Sequence, residues 1–200
     1  MHPGRPIYAW FDRENDRCYN DGHREYRAAG RRGGNGGSSV EEVMLSAAFP
    51  EWERIPDIGL YMDQVITFME RAFSEALPEG EITRSMVNNY VKSGLLPRPV
   101  GKKYDREHLA LLIMIFLLKQ VLSMEDIALL LEAVCAGGVR EGYDRFVQEI
   151  GAMEEEMARG QLAPSAAGAD APGRVLRLCV GAALCAVRAR RQLQTLGGGR

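Results

Sequence analysis

The segment 82–132 constrains the fold of this chain more than any other part of its 200 residues. Apolar residues recur with helical spacing over 83–92, and Thr83 is a favourable N-cap for such a helix. The stretch 94–101 then holds two prolines and two glycines, which make a continuous helix there very unfavourable. A further helix is expected over 105–119, and it should be central and buried because its middle is apolar on every side. This order of polar helix, punctuated loop and buried helix predicts a winged helix-turn-helix, with a reading helix, a wing and a scaffold helix.

Positive charge is concentrated in the same segment. Residues 83–108 contain six Lys or Arg and two Asp or Glu, a net +4, whereas the whole chain is −2 and the remainder is therefore −6. Lysine and arginine on a loop and at a helix end can pair with phosphates and release counterions. Asparagine on an exposed helix face can bond the edge of an adenine in the major groove. The pattern favours nucleic acid as a partner, with the alternative that a polar helix face and a basic loop are merely solvated.

The rest of the chain predicts a mainly helical protein. Ser123, followed three residues later by an aspartate, resembles a capping box and predicts a helix start. Elsewhere, apolar residues recur at three- and four-residue spacing between stretches rich in proline and glycine. Helices are expected over 40–48, 62–73, 124–133, 139–157 and 174–196, with an extended connector at 49–57.

Three regions are expected along the chain. Residues 1–39 are rich in Arg, Gly, Asp and Asn, so they bury too little apolar surface to offset the entropy of ordering them, and a disordered tail is predicted. Only the patch 7–11 is apolar in this tail. Residues 40–135 would form the winged-helix core, and 136–200 a helical region used for packing or dimerisation.

Enzyme motifs, cofactor motifs and membrane spans are not indicated by the sequence. There is no phosphate-binding glycine loop, nucleophile elbow or zinc-protease motif, so no catalytic activity, cofactor or metal is predicted. The longest apolar runs are ten residues, too short for a bilayer, and a cytoplasmic location is expected. No cysteine pair has ligand spacing, so all four are expected to be small buried apolar residues. They are Cys18, Cys135, Cys179 and Cys185.

Several stretches resemble the DNA-binding head of MerR-type regulators. They read ITRSMVNNY at 82–90, GLLP at 94–97, KKY at 102–104 and SMEDI at 123–127. In that family a reading helix ends in Tyr and a Gly-Leu-Leu-Pro turn, and a basic wing, a long helix and a short acidic helix follow. The resemblance implies the same fold and DNA binding. Two positions depart from the family pattern, because Asn88 and Lys102 stand where arginine is usual.

A second resemblance is to a bacterial family, domain of unknown function family 1836. Its motifs resemble IPDIGLYMDQV at 55–65, MVNNYVK at 86–92 and LKQVLS at 118–123. The similarity covers about 49–132 and extends loosely into the C-terminal helices. It implies a MerR-like fold more directly than it implies regulation.

The sequence therefore predicts a mainly α-helical, MerR-like winged helix-turn-helix with a small wing and additional C-terminal helices. The expected function is a transcriptional regulator that binds double-stranded DNA. The alternative is a protein–protein interaction module that retains the fold without DNA binding. A homodimer is expected through 139–157 or 174–196. The predicted DNA-binding residues are Arg84, Ser85, Asn88, Asn89, Tyr90, Lys92, Arg98, Lys102 and Lys103.

Overall fold

The computed structural model describes residues 49–73, 82–161 and 170–197, and these residues are mainly helical. The tail 1–39 and the helix predicted over 40–48 lie outside the described residues. No β-strand occurs in the described ranges, where pairing is limited to two isolated bridges. The connector at 49–57 differs from the extended prediction, because Trp52–Arg54 form one turn of 3-10 helix. Six helices follow: α1 Met62–Phe73, α2 Arg84–Lys92, α3 Arg106–Leu118, α4 Met124–Val134, α5 Val139–Ala158 and α6 Ala171–Gly197.

Three helix starts predicted from polar side chains are confirmed. Thr83, Asp105 and Ser123 precede α2, α3 and α4, and each side-chain oxygen accepts a hydrogen bond from the backbone N–H three residues ahead, over 3.1–3.2 Å. Helix α6 begins three residues earlier than predicted. The Asp170 carboxylate accepts a hydrogen bond from the Gly173 N–H at 2.9 Å, so the cap lies before the Pro172 position.

Helix α3 is the centre of the core, as predicted. Every residue over 109–118 is at most 1% exposed. Helices α5 and α6 both contact α3, and α6 also contacts α4. Aromatic rings continue this core towards α1, since the ring centroids of Phe73 and Phe116 are 5.5 Å apart. Burial of this apolar surface, at roughly 25 cal/mol per Å², is what holds the helices together.

The C-terminal helices belong to the same core as the preceding ones. The Phe49 ring lies 5.8 Å from the Phe146 ring of α5, and the Tyr143 hydroxyl donates to the Pro50 carbonyl at 2.7 Å. The core cluster of the described residues runs from Phe49 to Val187 and includes residues of α5 and α6.

A partly buried ion cluster joins α5 to α6. The Arg177 guanidinium, 15% exposed, contacts the Glu149 carboxylate at 2.7 Å and also pairs with Glu156. Two carboxylates thus share one cation, and loss of the cation would leave both uncompensated in a poorly solvated site.

The cysteines differ from the prediction. Cys135 is buried, but Cys179 is half-buried and Cys185 is exposed, because α6 presents one of its faces to solvent. Cys18 lies outside the described residues. Within the ranges that the structure covers, no helix combines the length and the apolar character needed to cross a membrane.

Candidate nucleic-acid interface

Helix α2 presents a continuous polar face to solvent. All five members of that face are exposed, and their spacing along the chain places them on one side of the helix. The opposite side is anchored by Val87, which is fully buried. The exposed residues are Arg84, Ser85, Asn88, Asn89 and Lys92.

Tyr90 is different from the other predicted contact residues. Its side chain lies in the core, with 5% of the residue exposed, and burial raises the pKa of its phenol. Its carbonyl oxygen accepts hydrogen bonds from the N–H groups of Leu95 and Leu96 at 2.9 and 3.0 Å. Gly94, with φ of 78°, provides the left-handed residue that this chain reversal needs. Tyr90 therefore ties the end of α2 to the start of the following loop.

The tip of the loop is a tight turn with two left-handed residues. The Lys103 N–H donates to the Val100 carbonyl at 3.0 Å, and between them Gly101 has φ of 57° and Lys102 has φ of 64°. Two positive φ values at the central positions are the signature of a type I′ turn. Lysine rarely adopts this conformation, which costs about 1–2 kcal/mol for a residue with a Cβ. The side chain of Lys102 is exposed, and the nearby Val100 is 84% exposed.

The base of this loop is fixed to the residues that precede α1. Leu60 and Tyr104 exchange two backbone hydrogen bonds, each 2.8 Å long. Close approach is possible because Gly59 has no side chain, since a Cβ there would lie 3.0 Å from the Cβ of Lys103. The Lys103 ammonium lies 5.5 Å from the centroid of the exposed Tyr61 ring.

The start of α1 and the residue before it contact both α2 and this loop. Asp63 forms an ion pair with Arg84, at the start of α2, while Tyr61, two residues earlier, lies under Lys103. Both members of the ion pair are about two-thirds exposed, so the pair is solvated and weak. A phosphate could replace the Asp63 carboxylate as the partner of this arginine.

The charged residues of the segment divide into engaged and unengaged groups. Arg106 is engaged, because its Nε donates to the Ile55 carbonyl at 3.0 Å and its guanidinium lies 5.8 Å from the Trp52 ring. Four exposed cations form no ion pair with any described residue. The ammonium group of one of them, Lys103, lies over the Tyr61 ring. These four are Lys92, Arg98, Lys102 and Lys103.

Two acids lie beside these cations at the start of α3. Burial would raise the pKa of Asp105, but hydrogen bonds and charge interaction with His108 outweigh burial and hold that pKa below its usual range. The buried His108 ring is 3% exposed and completes the capping box of α3. Burial and the nearby Asp105 raise the pKa of Glu107. Asp105 is the N-cap of α3 and Glu107 lies in its first turn, so the acidic side chains of the segment are confined to the start of this helix.

Sequence reasoning missed two residues of this site. Asp63 lies in the first turn of α1, and its ion pair with Arg84 spans 21 positions of the chain, for which the sequence carries no signal. Tyr61 was not singled out, because its 53% exposure and its contact with Lys103 appear only in the tertiary structure.

Residues 50–146 match a family model described as Domain of unknown function (DUF1836). The matched range includes the whole candidate interface and supports the family resemblance found in the sequence. No curated protein and no solved structure gives a significant match to the chain. The match also extends into α5, beyond residue 132 where the sequence resemblance was strongest.

Proposed function

We propose that the protein binds double-stranded DNA as a transcriptional regulator, using a MerR-like winged helix-turn-helix. The observation that carries this proposal is the group of four unengaged cations beside the exposed polar face of α2. A surface whose charges serve solubility alone has both signs interspersed. Here the cations are concentrated on one surface of a chain whose net charge is −2. A tip residue held in a strained backbone conformation and projecting a cation into solvent further supports a binding role for the wing.

Each part of the surface has a distinct role in this proposal. Helix α2 enters the major groove, where Asn88 and Asn89 bond base edges. Ser85 and Lys92, near the two ends of the helix, form hydrogen bonds with the sugar-phosphate backbone of DNA. From the wing, Arg98, Lys102 and Lys103 pair with phosphates, and Arg84 exchanges Asp63 for a phosphate. Tyr90 acts from within the core by fixing the angle between α2 and the wing.

Salt dependence follows from the number of phosphate contacts. Five cations are assigned to phosphates, which predicts a slope of log K against log salt of about −4.5, since each contributes about 0.9. Binding should then weaken roughly 500-fold between about 50 and 200 mM salt. A surface used for an apolar protein partner would show a much smaller slope.

A homodimer through α6 would present two reading helices to DNA. Of the two dimer surfaces expected from the sequence, the apolar face of α5 packs inside the protomer, where Tyr143, Phe146 and Ile150 are fully buried. The outer face of α6 remains exposed, and Leu178 and Leu193 on it are 53% and 63% exposed. We therefore assign dimerisation to α6. Light scattering should report a dimer, and Leu178→Glu should convert it to a monomer.

Selection from random duplex DNA followed by gel shifts at several salt concentrations tests the proposal. Lys102→Glu/Lys103→Glu should abolish binding, while Arg140→Glu/Arg159→Glu, which changes the net charge equally on exposed positions of α5, should retain it. If a folded dimer binds no DNA at low salt, the interaction-module alternative replaces the proposal. The acidic remainder of the chain is the observation that favours that alternative.

A further inference from the structure

A cavity of about 820 Å³ lies against the side of α1. Its apolar walls include Pro50 and Pro56 from the connector, and Leu60 and Phe68 from the approach to α1 and the helix itself. The volume falls within the range of about 300–1,000 Å³ that is typical of small-molecule sites. None of the residues assigned to DNA contact lines it.

Two arginines give this cavity a positive rim. Arg54, from the 3-10 turn, and Arg71, near the end of α1, both line the cavity and are exposed. Neither forms an ion pair or a side-chain hydrogen bond with another described residue. The one carboxylate in the wall, that of Asp63, is already paired with Arg84.

The remaining polar groups of the wall are neutral. The Gln64 side chain accepts a hydrogen bond from the Tyr61 N–H at 2.9 Å, so its oxygen is also engaged. The cavity thus combines apolar walls with two cations that have no polar partner among the described residues. An apolar body gains by leaving water, and an anionic group gains charge-assisted hydrogen bonds from a guanidinium.

We propose that this cavity binds an organic anion with an apolar, aromatic-sized body. The apolar part would lie against Phe68 and Leu60, and the carboxylate, sulfonate or phosphate would pair with Arg54 and Arg71. The proposal does not rest on DNA binding, because none of the residues assigned to DNA contact lines the cavity. The two surfaces share only Asp63, the partner of Arg84.

A matched pair of fluorescent probes tests this site on the full chain. Anilinonaphthalene sulfonate carries the anionic group, and N-phenylnaphthylamine has the same aromatic body without it. Saturable binding of the sulfonate with one site per chain is expected, at least tenfold tighter than binding of the neutral amine. One charge-assisted hydrogen bond is of that order.

Three variants locate the probe. Arg54→Gln and Arg71→Gln should each weaken sulfonate binding about tenfold while leaving the amine unaffected. Thr67→Trp, which fills the cavity from the exposed side of α1, should abolish binding of both probes. Arg159→Gln, at the end of α5, is the charge-matched control and should change neither affinity.

Other outcomes overturn the proposal. Absence of saturable binding by the full chain means that the cavity is inaccessible, for example because the chain's own residues fill it. Equal affinity for the two probes would show that the site does not recognise an anionic group, which contradicts the proposed roles of Arg54 and Arg71. Binding that Thr67→Trp does not affect places the probe elsewhere on the protein.

Discussion

Lys102 couples backbone strain to the proposed contact with DNA, so one substitution tests both. In Lys102→Gly the left-handed conformation at φ of 64° no longer opposes a Cβ, which removes about 1–2 kcal/mol of cost in the folded state. Glycine also has more freedom in the unfolded chain, which returns about 0.5–1 kcal/mol. The net expectation is a protein more stable by about 0.5–1 kcal/mol.

The same substitution should weaken DNA binding. One lost phosphate contact lowers the binding constant about eightfold at roughly 0.1 M salt, and makes the salt slope shallower by about 0.9. Lys102→Gln is the matched variant, because it removes the charge and keeps a Cβ on the left-handed backbone. It should lose the same affinity with no gain in stability. Lys102→Arg should retain binding.

Urea denaturation and salt-dependent fluorescence anisotropy on a selected duplex give the two measurements. A Lys102→Gly protein that is less stable than the wild type would refute the left-handed turn. Equal salt slopes for wild type, Lys102→Gly and Lys102→Gln would refute a phosphate contact at this position, whatever the stability result.

Three further predictions concern the packing of α5, the buried thiol and the ion pair between Asp63 and Arg84. In Gly142→Ala the new Cβ would lie 2.6 Å from the Cys135 Sγ and 3.1 Å from its Cα. This overpacking outweighs the gain in helix propensity, so urea denaturation should show a protein less stable by about 1–2 kcal/mol. Gly151→Ala in the same helix meets no atom within 4 Å, so it should stabilise by about 0.5–1 kcal/mol, and the same sign for both variants would contradict this packing. Burial raises the pKa of the Cys135 thiol to about 12, so the unfolded chain loses this proton first as the pH rises and stability falls by up to about 1.4 kcal/mol per pH unit between roughly pH 9 and 12. Cys135→Ala should flatten that part of the alkaline stability curve, and an unchanged curve would show that the thiol is solvated. Asp63→Asn should free Arg84 and tighten DNA binding up to about eightfold at roughly 0.1 M salt, whereas unchanged anisotropy titrations would mean that Arg84 contacts no phosphate.

The elements that sequence reasoning identified correctly share a physical origin. Thr83, Asp105 and Ser123 act on backbone groups three residues away, so the helix starts that they produce can be read locally. The burial of α3 follows from a run of apolar residues too uniform to have a solvent face. The exposure of Asn88 and Asn89 follows in turn from the period of a helix whose other side must meet that core.

The residues that modify the candidate site depend instead on contacts between distant parts of the chain. Arg106 was counted with the basic patch, yet a carbonyl 51 positions away and the Trp52 ring hold it. The sequence pattern could not show which of the two candidate dimer surfaces is exposed, because α5 and α6 are both amphipathic. Only packing decides which apolar face is covered.

The sequence by itself determined the helices, their order, the central position of α3 and the exposed polar side of α2. These features arise from interactions within a few residues and from the period of apolar side chains, which any fold of this chain must respect. Only the tertiary structure decided which cations form no ion pair with the described residues and that Lys102 lies at a strained turn. It also decided that a cavity opens beside α1, with two arginines that have no ion-pair partner in the described ranges. Those outcomes require segments tens of residues apart to meet, and the entropy of closing such loops is repaid only when the whole core forms.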